Sequence, residues 1–209
     1  MPSRTKRVYF DDYVFVVDEN VYEPAEDSFL FAENLDVKEG EMVLDMGTGC
    51  GILSVLAAKK ASSVLAVDLN LHALRCAKES AVLNDTRSKM SFLRGDLFTP
   101  LSELARFDVV VFNAPYLPSV EGEGVSWIER AYAGGASGRE VIDRFIQQVP
   151  IHLRPNGRVM LLQSNLAGID ETVKRFARSG MSTRAVAERE LPFFETLFLL
   201  EARIEQAFF

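Results

Sequence analysis

Asn113-Ala114-Pro115-Tyr116 holds the residues of this 209-residue chain best suited to chemistry on a nitrogen. The nitrogen of a primary amide or an aromatic amine has a delocalised lone pair. Its attack on a methyl group therefore needs acceptors that orient the NH2 and take up the developing positive charge. The Asn113 side-chain oxygen and the Ala114 main-chain carbonyl are two such acceptors, and the Tyr116 ring can stack on a planar amide or base. Asn and Pro are also ordinary turn formers, so the tetrapeptide alone is equally compatible with a plain turn.

Upstream, Val43-Leu44-Asp45-Met46-Gly47-Thr48-Gly49-Cys50-Gly51 reads as a strand running into a glycine turn that opens a helix. Such glycines let a nucleoside approach the backbone, and the helix start offers free N–H groups. The dinucleotide fingerprint GxGxxG requires glycine at 52, where Ile52 stands, and Asp45 at the strand end suits a cationic ligand better than a phosphate. A plain strand-to-helix turn would carry the same glycines. Acids, however, recur at the next two strand ends. Asp68 lies 23 residues after Asp45, close to the spacing of about 20 at which an acid meets ribose hydroxyls in doubly wound folds. Asp96, taken alone, reads equally as a loop carboxylate or a cap ahead of Leu97 to Leu101. Together the three acids converge on the crevice at the carboxyl ends of an open parallel sheet.

The elements that must position these residues alternate. Strand-length apolar runs occur at Met42–Met46, Ser63–Val67, Met90–Arg94, Asp108–Phe112 and Arg158–Gln163, separated by helical patterns at Gly51–Lys60, Leu71–Asn84 and Gly138–Leu153. That is the pattern of a parallel sheet covered on both faces, an α/β fold. A helix over Ile169–Ser179 then precedes strands at Thr183–Glu190 and Glu195–Ile204. Only Leu191–Phe194 separates these two, too little for a parallel crossover, so they should pair antiparallel.

Composition narrows the class. With 48% hydrophobic and 25% charged residues the chain can bury one sizeable core, which excludes wholesale disorder and repeat architectures. Its apolar runs fall short of the roughly 18 residues of a membrane span. Residues 1–7 lead into no apolar signal core, so a cytoplasmic protein is expected. Cys50 and Cys76, like His72 and His152, lack metal-ligand spacing and read as packing residues; no metal is expected. The net charge of −7 offers no broad basic face for nucleic acid.

Over residues 20–200 the sequence resembles class I S-adenosylmethionine-dependent methyltransferases, and among them the short archaeal and eukaryotic branch of the HemK release-factor glutamine methyltransferases. Asn113-Ala114-Pro115-Tyr116 corresponds to that family's Asn-Pro-Pro-Tyr motif. Val21-Tyr22-Glu23-Pro24-Ala25-Glu26-Asp27-Ser28 resembles its N-terminal signature, and Gly134-Gly135-Ala136-Ser137-Gly138 a glycine-rich segment. The resemblance implies a Rossmann-like, doubly wound, seven-stranded sheet with its last strand antiparallel. It also implies a single domain over 1–209, in which residues 1–36 form a lead-in that closes over the cofactor and no room remains for the extra helical domain of bacterial relatives.

It further implies that Ser28, Asp45, Gly47 and Gly49 hold the methionine part of S-adenosylmethionine, that Asp68 with Leu69 grips the ribose, and that Asp96 with Leu97 meets the adenine. Asn113, Ala114, Pro115 and Tyr116 would bind the substrate amide, with Ala114 lacking the ring of the family's first proline. The implied substrate is a glutamine in a translation release factor. Adenine or guanine in DNA or RNA and protein lysine remain alternatives, as does a catalytically silent subunit, although the retained acids and Asn113 oppose the last. A small zinc-ribbon activator is expected at the edge of the third strand, Met90–Leu93. The long connection Pro118–Gly138, which holds Trp127, reads as a substrate lip.

Overall fold

The computed structural model describes residues 4–119 and 126–205. Its main sheet is built from β-branched and aromatic runs, residue types that suit a strand buried on both faces. In chain order the strands are β1 (Thr5–Phe10), β2 (Tyr13–Asp18), β3 (Met42–Met46), β4 (Ser63–Asp68), β5 (Met90–Arg94), β6 (Phe107–Asn113), β7 (Leu153–Ser164), β8 (Met181–Glu190) and β9 (Thr196–Ile204). Seven of them form one sheet in the order β5-β4-β3-β6-β7-β9-β8, parallel except for β9, which runs antiparallel to both β7 and β8. The expected seven strands and antiparallel last strand are both present.

Alternation along each strand sorts side chains to two faces. On β6, Val109 and Val111 join the core beneath α1 (Glu26–Glu33), α2 (Ile52–Ala58) and α3 (Leu71–Leu83). Val110 and Phe112 face the opposite core, with Ile142, Phe145 and Ile146 of α5 (Glu140–Gln148) and Phe176 of α6 (Ile169–Arg178). The short α4 (Trp127–Tyr132) lies inside the connection read as a lip. Among the described residues no helix is long and apolar enough to cross a membrane.

Several expectations shift. The helix expected over Gly138–Leu153 starts at Glu140 and tightens into a 3-10 turn at Val149, next to Pro150; β7 then starts at Leu153, five residues before the expected Arg158. No helix follows Asp96, so that residue caps nothing; a turn closed by Thr99 N–H on the Asp96 carbonyl stands there instead. The hairpin β1–β2 was not anticipated. It docks on α3 through Ser80 Oγ, which accepts the Val16 N–H at 2.9 Å, and through Asn84, which exchanges hydrogen bonds with both main-chain groups of Val14. From there the chain runs through Val21–Ala25 into α1, above the carboxyl ends of the strands. β5 is the terminal strand of the sheet, the position expected for Met90–Leu93.

Candidate active site

Register makes the crevice. Met46 pairs with Val67 on one side and Phe112 on the other, so Gly47, Asp68 and Asn113 leave their strands at one level. Around them lies a cavity of about 320 Å³. Its walls include Ser28, Gly47, Gly49, Asp68, Leu69, Asp96, Leu97, Asn113, Ala114, Pro115 and Tyr116. These residues come from four strand ends and from α1, and the structure brings them together from Ser28 to Tyr116.

Asp45 behaves differently. It is 1% exposed and absent from the cavity wall. Its Oδ2 accepts hydrogen bonds from Thr48 Oγ1 at 2.7 Å and Ser54 Oγ at 2.5 Å, so it shapes the glycine turn from behind. Burial raises its pKa to about 6, although the two hydroxyls oppose the rise. Asp96 does reach the wall, where it is ion-paired with Arg144 at 2.5 Å.

Asp68 is fixed through both oxygens: Oδ1 accepts the Asn70 N–H at 2.8 Å and Oδ2 the Gly49 N–H at 2.9 Å. Each oxygen retains lone-pair capacity for a hydroxyl. Burial, the largest influence, raises the Asp68 pKa, and the main-chain N–H groups oppose it. Gly49 itself has φ +56°, and a Cβ there would meet nothing within 4 Å. The space above the turn is thus open, a cradle that an added side chain would enter.

Asn113 supplies the feature that sequence reasoning left undetected. Its Nδ2 donates to Asp27 Oδ2 at 3.0 Å. A carboxylate can only accept, so this contact settles which end of the amide is NH2. Asn113 Oδ1 is then a buried acceptor with no hydrogen-bond partner. Such a group is costly unless a ligand satisfies it. Asp27 is itself held, accepting the Tyr22 hydroxyl at 3.2 Å and the Ser28 N–H at 2.6 Å on Oδ1. Tyr22 and Tyr116 both have phenols pushed far up, first by burial and then by the Asp27 charge, so both stay neutral.

Ala114 compensates for its missing ring in part. Its N–H donates to the Leu162 carbonyl at 3.3 Å, a bond that proline cannot make, and extends the β6–β7 ladder by one residue. The glycine segment after α4 packs beneath the same loop: Gly138 has φ +72°, and a Cβ there would lie 2.3 Å from the Tyr116 carbonyl oxygen. Trp127 and Arg130 of α4 reach the wall opposite the strand ends, with the Arg130 guanidinium 5.3 Å from the Trp127 ring centre. Part of the expected lip, residues 120–125, lies outside the described residues. Cys50 and Cys76 are free and buried, and their thiols are pushed up by burial to about 12 and about 11. His152 is buried in the 3-10 turn with its ring stacked on Phe98 at 4.7 Å.

The open glycine cradle, the anchored carboxylate for vicinal hydroxyls and the orphaned amide oxygen fit S-adenosylmethionine beside an NH2-bearing substrate. Comparisons with known proteins agree. The methyltransferase small domain family matches residues 15–127. A Methanocaldococcus jannaschii protein assigned to the protein N5-glutamine methyltransferases is 42% identical over 182 residues, spanning 86% of this chain and 90% of that one. Methyltransferase HEMK2 of Homo sapiens is 32% identical over 182 residues, spanning 82% and 84%. Among solved structures, the Mtq2-Trm112 complex of E. cuniculi, described as responsible for methylation of the eRF1 translation termination factor, superposes with a TM-score of 0.70. It is 28% identical, over 89% of this chain and 99% of that one. On fold, site and sequence together, the chain belongs to the methyltransferase small domain family and, within it, to the HemK group of S-adenosylmethionine-dependent protein glutamine methyltransferases.

Proposed function

We propose that this protein methylates the side-chain amide nitrogen of a glutamine in a translation release factor. The observation that carries the reading is the buried, unpartnered Oδ1 of Asn113, fixed by Asp27 at the wall of the cavity. A glutamine NH2 satisfies that oxygen with one hydrogen and the Ala114 carbonyl with the other. Its nitrogen lone pair is thereby turned toward the methyl group that S-adenosylmethionine carries on a positively charged sulfur. As the N–C bond forms and the S–C bond breaks, the nitrogen gains positive charge, which the two oxygens stabilise, and its surplus proton passes to water. Tyr116, kept neutral by burial, packs against the planar amide without competing for that proton.

Asp68 holds the ribose hydroxyls, with Leu69 beside it. Asp96 and Leu97 meet the adenine, and Ser28, Gly47 and Gly49 surround the methionine moiety. Asp45 acts one layer out, by holding the turn. Residues 1–36 serve as the part of a single domain that closes over the cofactor, a role supported by the Asp27–Asn113 bond between α1 and β6. The Mtq2 resemblance supports a release factor over nucleic acid, as does the net charge of −7. We further propose that a small zinc-ribbon subunit activates the enzyme from the β5 edge, because the E. cuniculi relative is a complex with Trm112 and β5 is terminal here. The protein would work in the cytoplasm, where release factors act.

Mass spectrometry of a release factor incubated with enzyme and S-adenosylmethionine tests the reading: one methyl group on one glutamine is expected. Asn113→Ala should lower kcat by about 10² with cofactor affinity kept. Near-normal turnover in that variant would remove Asn113 from the reaction.

A further inference from the structure

The turn between β8 and β9 carries the most exposed apolar side chains among the described residues, Phe193 at 95% and Phe194 at 97%. Both have left-handed backbone, φ +64° and +65°, which bulky residues adopt only at a cost. The turn is locked in that shape. The Leu191 N–H donates to the Glu195 carbonyl at 2.8 Å, while the Asn165 amide donates to the Phe194 carbonyl at 3.1 Å and accepts the Thr196 N–H at 2.9 Å. Two rings are therefore held out into water by a built support.

Their position is equally defined. Asn165 follows the carboxyl end of β7, on the side of the sheet where the cavity opens. Glu195 lies near enough to Tyr22 and Tyr116, both in the cavity wall, for its charge to act on their phenols. Arg189, one strand residue before the turn, binds Glu26 at 2.8 Å, next to Asp27 and Ser28. Leu166, half exposed, extends the apolar surface beside Asn165.

We infer that Phe193 and Phe194 form a docking platform for the protein substrate, packing on apolar side chains that flank the target glutamine as it enters the cavity. This rests on the glutamine reading given above. The turn stands at the carboxyl end of the sheet, on the side where the cavity opens, so a chain that enters the cavity from this side passes the two rings. Single-stranded nucleic acid also stacks on aromatic rings, but Glu190 and Glu195 bracket this turn and would repel its phosphates.

The test is Phe193→Asn combined with Phe194→Gly, residues that tolerate left-handed backbone and so keep the turn; an unchanged Tm checks that they do. A purified release factor is titrated into wild type and variant, each loaded with S-adenosylhomocysteine, and transfer to the factor is followed with S-adenosylmethionine. Expected are a tenfold or greater weakening of Kd and rise in KM for the factor, with kcat and cofactor affinity retained. Equal affinity in the two proteins overturns the platform, as does failure of the wild type to bind the factor. Light scattering that shows a wild-type dimer lost in the variant also overturns it, in favour of a second copy of the chain. Binding that depends on the two rings, without methylation of glutamine, upholds the platform and overturns the glutamine reading instead.

Discussion

A single aspartate decides how Asn113 can act. Asp27→Asn replaces a pure acceptor with a group that can also donate, so the Asn113 amide loses its fixed orientation while the volume is preserved. We expect kcat to fall by about tenfold, the equivalent of ~1.4 kcal/mol, with the cofactor Kd within a few-fold of wild type. Single-turnover kinetics would show this, and an unchanged rate would mean that Asp27 only packs. Asp68→Ala should act in the complementary way, weakening S-adenosylmethionine by roughly 10 to 100-fold through loss of charge-assisted bonds, as calorimetry can measure. Asp45 gives a pH prediction. Its folded pKa of about 6 lies above its ordinary carboxylate value of 3.8, so the folded state binds the extra proton between those values. This contribution to stability is complete below pH 3.8 and is lost as pH rises through 6. At pH 7 the penalty amounts to ~3 kcal/mol. Asp45→Asn, whose Oδ1 can still accept from Thr48 and Ser54, should therefore be more stable than wild type at pH 7 in urea unfolding, with the gain vanishing near pH 4. A gain independent of pH would contradict the assignment.

The elements around the site depend on ties that cross the molecule. α1 carries Asp27 and Ser28 but lacks a side-chain cap at its N-terminus, and Arg189 on β8 holds it by Glu26 at 2.8 Å and Glu33 at 2.7 Å. Arg189→Ala should loosen α1, raising its amide hydrogen exchange and weakening cofactor binding by a few-fold, with β6 unaffected; equal exchange would show that the ties contribute nothing. The same dependence explains which parts could be read in the sequence. β3 and β6 were legible because runs such as Val109–Phe112 satisfy strand preference and two-sided burial at once. The acids Asp68 and Asp96 and the Asn113 tetrapeptide were legible because a parallel sheet presents the residues at its carboxyl ends to one crevice. The β1–β2 hairpin was not, since its fixing partners Ser80 and Asn84 lie 64 and 70 residues away. Asp27 escaped for the same reason: its role arises from Asn113, 86 residues on. Asp45 stands at a strand end like the other two acids, but the hydroxyls of Thr48 and Ser54 hold its side chain behind the turn, a placement that its sequence position does not reveal.

In the molecule taken entire, the side of β5 is one of the two edges of the main sheet. Phe92 is half-buried there under the Arg87 guanidinium, 5.2 Å from the ring centre, and an unpaired edge strand invites a partner strand. Phe92→Glu should abolish copurification with an activator subunit while the isolated chain still binds S-adenosylmethionine, because the crevice opens at the strand ends and not along the edge. An isolated wild-type chain with full activity would dispense with the subunit. The opposite edge has a temporal consequence. β8 pairs only with β9, and β9 follows both of its neighbours in the sequence. During synthesis, β7 and β8 are therefore complete before the strand that joins them exists. The half of the sheet bearing the Phe193 turn closes only after the ribosome has passed residue 204, so a nascent chain that has already shaped its glycine turn still lacks the two exposed rings.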